Sequence, residues 1–390
     1  MWDRRDQRGA GTRLSMGLAM LLVALSLVLA AGPGSARTVT TELARLDVST
    51  LAEGLVHPWG LAFLPDGALL VTERPGRLRL VSPAGEVSAP LSGVPEVQAR
   101  NQGGLLDVAL APDFAESREI FLSYAEPGPG GAGTAVARAR LDRTALALRD
   151  PEVIFRQQPK TRGGRHFGAR LVFARDGTLW ITIGDRGERG RAQDFTINRG
   201  QVIRLHPDGR IPEDNPFIGV EGRRPEVWSY GHRNPQGAAR HPETGALWIH
   251  EHGAQGGDEV NVPEAGQNYG WPVAHYGRDY GGGQFGAGTK KPGLAQPRHY
   301  WVPSIAPSGL AFYTGDAVPA WQGDLFVGAL KFRLLVRLDI EDGAVIHEER
   351  MLTDLGARVR DVVQGPDGAL YLLTDARDGR IVKVVPTARK

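Results

Sequence analysis

After residue 36 the chain repeats one phrase: a short apolar run, a turn built on Pro, Asp or Gly, then a second apolar run. It reads GLAFLPDGALLVTERPGRLRLV from residue 60, LLDVALAPDFAESREIFLSYA from 105 and RLVFARDGTLWITIGD from 170. It returns as GAARHPETGALWIHEHG from 237, GLAFYTGDAVPAWQGDLFVGAL from 309 and VRDVVQGPDGALYLLTD from 359. Short runs bounded by such turns predict strands and hairpins, and no long helical periodicity interrupts them. The turns fall near residues 66, 113, 176, 243, 315 and 367, at intervals of 47, 63, 67, 72 and 52. One small sheet cannot bury both its faces, whereas six packed radially cover each other and leave only short edges. The pattern therefore predicts an all-β fold over residues 37–390, a six-bladed β-propeller of four-stranded antiparallel blades. A β-sandwich with coincidental turns is the alternative, and it would be oversized at this length.

Hairpins use few residues, so the excess length lies in the connections. The largest, residues 270–303, is rich in Gly, Tyr and Trp. Long loops on a rigid scaffold commonly carry function, which places a substrate rim here.

Residues 1–36 follow a different pattern. Arg4, Arg5, Arg8 and Arg13 precede a sixteen-residue apolar stretch, 16–31, and GSAR then offers a small-x-small cleavage pattern ending at Ala36. This reads as a secretory signal peptide, the stretch being short of the roughly 20 residues a spanning helix needs. No later segment approaches that length, so a soluble mature chain, periplasmic or secreted, is expected. Setting aside four Arg and two Asp in this segment leaves 42 basic and 42 acidic residues of the 46 and 44 in the chain. That balance carries no nucleic-acid footprint. The absence of Cys excludes disulfides, thiol nucleophiles and thiolate metal sites.

Polar residues cluster at the ends of the repeated phrases. Gln102 precedes the second, His166 precedes the third, and Asp185 follows the third hairpin. Arg233 and Asn234 precede the fourth, EHGAQGGDEVN follows it, Lys331 follows the fifth, and Arg358 and Arg360 open the sixth. Singly, a His or Asp near a strand end is most often a turn partner, and an Arg or Lys a solvated group. Recurrence at one place in successive repeats argues for a site, because blade-start loops share one face around the channel. Cations with one His and one Asp suit an anionic ligand and a proton to move. Imidazole is the natural base near neutral pH, and a carboxylate fixes its tautomer.

The motifs HFGARL…IGDRG, YGHRNPQG, GDEVN…GQNYGWP and RVRDV, in this order, resemble the soluble PQQ-dependent aldose sugar dehydrogenases, the glucose/sorbosone dehydrogenase family. The resemblance covers nearly the whole chain after residue 36. It implies a six-bladed propeller that oxidises aldoses at the anomeric carbon to lactones by hydride transfer to PQQ. Electrons then pass to an external acceptor, a quinone or cytochrome, and the protein is expected to be a monomer or homodimer. It implies His166 as the base, Asp185 as its orienter and Arg233 as the group that stabilises charge on the reduced quinone. It further implies that Gln102, Asn234, Lys331, Arg358 and Arg360 hold PQQ. Gly253 and Ala254 would give backbone carbonyls to a Ca2+ that bridges enzyme and cofactor, and Glu259 and Tyr269 would serve a second, structural Ca2+. The residue types suit these roles: Arg forks bind carboxylates bidentately, Lys neutralises a further one, and a hard cation takes oxygen ligands.

Two departures from the family pattern matter. Arg165 stands where some members carry an acidic residue that contacts substrate, so the resemblance implies no particular sugar; Ala254 stands where some have Pro, a change that a backbone carbonyl tolerates. Tyr300 and Trp301 are the candidates for a substrate wall. The alternatives are a Ca2+-dependent propeller lactonase, which would need acidic and Asn side chains around the channel, and a non-catalytic extracellular binding propeller, which would have lost the His or the cations.

Overall fold

The computed structural model describes residues 37–389; the expected signal sequence lies outside them. The described residues form 24 strands in six antiparallel sheets, arranged as a six-bladed propeller. Each repeated phrase is the innermost hairpin of one blade. The inner strands are Pro58–Phe63, Leu105–Leu110, Gly168–Phe173, Pro235–Arg240, Pro307–Phe312 and Val359–Gln364. Each packs against the next and the sixth against the first, which closes the ring. Apolar side chains between neighbouring sheets make the core, as where Leu171, Ile181 and Ile203 meet Phe121 and Val136.

Four blades have four strands, the first has three and the last has five. In the last, Ala44–Leu55 pairs with Gly379–Ala388 from Ala44↔Ala388 to Leu55↔Gly379, and Arg37–Thr40 adds an outer strand. The first blade stops after Arg77–Val81 because Pro83, Pro90 and Pro95 follow, and proline cannot donate to a ladder.

All six inner strands slip register against their partners near their first residues, for example between Gly168 and Leu171. Such a bulge re-aims side chains toward the channel and frees an amide from the ladder. In the first three blades a hydroxyl on the partner strand accepts that amide: Thr72 from Gly60, Ser123 from Asp107 and Thr182 from Arg170, each at 2.9 Å. The same hydroxyls donate onward to the next blade, Thr72 to the Leu106 carbonyl, Ser123 to Ala169 (2.6 Å) and Thr182 to Pro235 (2.9 Å). His250 Nε2 donates to Gly309 O at 2.9 Å and Ser308 Oγ to Arg360 O at 2.6 Å. Small polar groups thus stitch blade to blade and satisfy the buried backbone.

The bulges also fill the channel. Arg170 is buried between Asp107 (3.1 Å) and Asp361 (2.7 Å), donates to Gln236 O (2.7 Å) and lies 4.3 Å over the Trp59 ring. The equivalent position in the fifth blade is Gly309, where a Cβ would come within 2.6 Å of Asp361 Cα. Among the described residues no helix is long and apolar enough to cross a membrane.

Candidate active site

The hairpin of the third blade pairs Gly168 with Ile183, so the residues just beyond both ends meet above the sheet. His166 Nδ1 lies 2.6 Å from Asp185 Oδ1, with both side chains buried. The carboxylate accepts the Nδ1 proton, which leaves Nε2 as the nitrogen that can take another. The His166 backbone is in the left-handed region, φ +55, sparsely populated by residues other than glycine. Its amide donates to Gln102 Oε1 (2.7 Å), and its carbonyl accepts from the Arg186 amide (3.3 Å). The Arg186 guanidinium stacks 3.4 Å over Phe167 and donates to the carbonyls of Gly163 and Arg165, clamping the loop. Gly168, at φ +65, is required as glycine, since a Cβ there would sit 2.8 Å from Ile183 Cα.

Asp185 is fully paired. Oδ1 also accepts from the Gly187 amide (2.7 Å), and Oδ2 accepts from Trp271 Nε1 (2.8 Å). Burial opposes its charge, but the bond from His166, the Arg233 charge and the Gly187 amide outweigh it and hold the carboxyl below its usual range. Burial, with the charges of Arg233 and Arg165, lowers the His166 pKa against the pull of Asp185. The imidazole is therefore a neutral base at neutral pH.

A chain of bonds ties this pair to the predicted cations. The Asp185 amide donates to the Arg233 carbonyl at 2.9 Å. The Arg233 guanidinium donates to His252 O (3.1 Å) and Tyr280 Oη (3.3 Å), while its Nε is buried without a partner. Asn234 Oδ1 accepts from the Gly168 amide (3.2 Å), and its Nδ2 is likewise buried and unpartnered. Arg360 donates to Gln236 Oε1 (2.9 Å), Ser308 Oγ (3.1 Å) and Asp375 Oδ2 (3.2 Å), and burial lowers its pKa to about 10. Arg358 shares Asp375 at 3.5 Å and donates to Leu330 O (3.2 Å), one residue from Lys331. Lys331 is exposed and makes no ion pair among the described residues.

The residues expected at the metal positions lie beside Arg233. Gly253, Glu259 and Tyr269 line a cavity of about 10 Å3 with Glu251, Arg233 and Trp271. Glu251 and Glu259 both accept from Asn261 Nδ2, each at 3.1 Å. Burial and then the charge of Glu251 push the Glu259 carboxyl well above its usual range. Ala254 is buried beside this cavity in a bridge to Gly256. The Tyr269 hydroxyl turns away, donating to Val262 O and accepting from the Glu264 amide (3.0 Å), so only its backbone is open to a cation. Among the described residues no three His, Asp or Glu side chains gather as ligands, so a cation here would depend on backbone oxygens.

The substrate-wall candidates divide. Trp301 is buried, with Nε1 donating to Glu348 Oε2 (2.9 Å), and cannot face a substrate. Tyr300 is half-exposed on the outermost strand of the fourth blade and stacks on Tyr276 at 3.9 Å. Tyr280, exposed and within the loop 270–303 expected at the rim, accepts a hydrogen bond from Arg233. Sequence reasoning missed Tyr280, Trp271 and Asp375. GQNYGWP singled out the segment, but no spacing tells that its indole reaches Asp185.

The arrangement has relatives. The chain is 50% identical over 352 residues to aldose sugar dehydrogenase YliI of Escherichia coli (strain K12), covering 88% of this chain and 94% of that protein. The soluble aldose sugar dehydrogenase from Escherichia coli in the apo-form superposes with a TM-score of 0.86 at 50% identity, over 87% of this chain and 99% of that chain. The PQQ-bound aldose sugar dehydrogenase from Streptomyces coelicolor superposes with a TM-score of 0.73 at 29% identity, over 90% of this chain and 100% of that chain. The model of the Glucose / Sorbosone dehydrogenase family matches residues 55–383, and the chain belongs to that family.

Proposed function

We propose that this chain is a PQQ- and Ca2+-dependent aldose sugar dehydrogenase that oxidises the anomeric carbon to the lactone, with His166 as general base. The observation that carries the reading is the buried His166–Asp185 pair beside two buried donors without partners, Arg233 Nε and Asn234 Nδ2. An unpaired buried donor costs about 1–3 kcal/mol, so a pair of them in a cation-rich cleft fits an acceptor-bearing ligand. PQQ, a planar tricarboxylate, suits this donor set: Arg358, Arg360 and Lys331 would meet carboxylates, and Arg233, Asn234 and Gln102 the remaining oxygens. When bound it supplies the electrophile that accepts hydride from the sugar. A bound PQQ in the Streptomyces coelicolor relative supports the assignment.

The chain's own residues do the rest. His166 Nε2 takes the proton of the anomeric hydroxyl, and Asp185 holds the Nδ1 proton and stabilises the imidazolium that forms. Arg233 offsets negative charge as it develops on the acceptor side. Gly253 and Ala254 carbonyls would hold one Ca2+, and Glu259 with the Tyr269 backbone a second. Two carboxylates that share one amide, Glu251 and Glu259, border the cavity beside the Gly253 backbone, and these oxygens support a hard cation there. The partners are an aldose and an external electron acceptor, and the mature protein, residues 37–390, is periplasmic or secreted.

The test is reconstitution of residues 37–390 with PQQ and Ca2+, offered an aldose panel and an artificial acceptor beside a His166→Ala control. Turnover that needs PQQ and Ca2+ and collapses in the variant is expected. Failure to bind PQQ overturns the cofactor assignment.

A further inference from the structure

We infer that Trp271 is a positioning residue of the proposed base: its indole N–H fixes the Asp185 carboxylate, which in turn fixes the His166 imidazole. The inference rests on the reading of His166 as base. Asp185 Oδ1 is engaged by His166 Nδ1 (2.6 Å) and the Gly187 amide (2.7 Å). Oδ2 has one partner among the described residues, Trp271 Nε1 at 2.8 Å. Asp185 is only 1% exposed, so water does not replace that donor. A carboxylate's terminal torsion is broad and weakly preferred, so a donor on one oxygen alone leaves the plane free to swing. Donors on both oxygens hold it in the orientation that His166 needs.

The indole is itself held firmly. Its ring is buried, meets Phe285 edge-on (5.6 Å, 88°) and His275 (5.3 Å, 62°), and packs on Ala192 and Ala254. The Trp271 amide donates to Gly231 O (2.8 Å), and its carbonyl accepts from Gln193 Nε2 (2.8 Å). The Arg233 guanidinium lies 5.2 Å from the ring, and the same ring lines the cavity shared by Glu259 and Tyr269. Trp271 thus carries the order of the long fourth-blade loop to the acid of the pair. A hydrogen bond from a side chain 86 residues away that ends on a buried carboxylate is more than packing requires, since a ring of the same shape without the N–H would pack equally well.

The experiment replaces Trp271 with 3-benzothienylalanine, in which sulfur takes the place of the indole N–H and the shape is kept, beside Trp271→Phe. The first readout uses PQQ-free protein: the low-field proton resonance of His166 Nδ1–H, assigned by its loss in His166→Ala. It is expected to shift or broaden in both variants. The second is kcat/KM for an aldose in the reconstituted protein, expected to fall about tenfold to a hundredfold, the worth of one hydrogen bond to a charged acceptor, with the Kd for PQQ within about twofold. An unchanged resonance overturns the inference, whether activity is retained or falls together with melting temperature and PQQ affinity. If the parent protein turns over no aldose, the functional reading fails, and the resonance still decides whether Trp271 orders the pair.

Discussion

Arg170 stands in the middle of the ring, and replacing it with Met keeps length and apolar bulk while removing the charge. Burial raises the Asp107 carboxyl to about 6 even with Arg170 beside it, and burial raises Asp361 as well. Without the guanidinium the two carboxyls face each other with only backbone amides, Leu171 on Asp107 and Leu61 on Asp361, to offset them, so both move further upward. Removing one partner of a buried ion pair costs about 3–5 kcal/mol where the remaining charges persist. The pH dependence follows from the sign of these shifts. A carboxyl whose folded pKa is raised contributes stability that is complete below its unfolded value and is lost as pH rises through the folded one. Each further unit of upward shift adds about 1.4 kcal/mol to that loss. The variant is therefore harmed least near pH 5 and most near pH 8, and the gap to the parent widens by about 2 kcal/mol or more between them. Urea unfolding followed by tryptophan fluorescence at both pH values measures it. A gap of equal size at both, or a variant as stable as its parent near pH 8, refutes the reasoning.

Three further outcomes are expected. Because burial, Arg233 and Arg165 lower the His166 pKa, and a proposed general base acts unprotonated, kcat/KM is expected to rise with pH along an acid limb whose midpoint lies below the ordinary imidazole value of about 6.5; a midpoint near 7.5 contradicts this. Thr182→Val removes the acceptor for the Arg170 amide and the donor to Pro235 O, and should cost about 1–3 kcal/mol, read as a lower melting temperature by calorimetry; an unmoved transition means the stitch carries no stability. Lys331→Ala should weaken PQQ binding about tenfold in a fluorescence titration while leaving the melting temperature of the PQQ-free protein unchanged, since Lys331 is exposed and unpaired among the described residues.

The six inner hairpins were legible because each writes both apolar runs and its turn in one continuous segment. The His166–Asp185 pair was legible for the same reason: one hairpin joins them, and its register sets the distance. What lay outside single segments was not. A bulge is a relation between two strands, so neither VRDVV nor its partner LYLLT announces one. Trp271 meets Asp185 across 86 residues of chain, from a loop without periodicity. Tyr280 and Tyr300 sit in equally Gly-rich and aromatic surroundings, and only packing separates the one over Arg233 from the one on an outer strand. Asp375, which binds Arg358, Arg360 and His57, follows the sixth hairpin as Asp185 follows the third, and that parallel was the available signal.

The pairing of Ala44–Leu55 with Gly379–Ala388 also sets an order in time. Ala44–Leu55 must wait for a partner made more than 300 residues later, because the sixth blade is completed by both. That blade carries Arg358, Arg360 and Asp375, whereas His166, Asp185, Arg233 and Asn234 belong to hairpins made earlier. A chain still emerging from the ribosome can bring His166 and Asp185 together before the proposed anion cradle exists. Capture of the proposed anionic cofactor would wait until Gly379–Ala388 has joined the blade, and without that strand Ala44–Leu55 would present an unpaired edge.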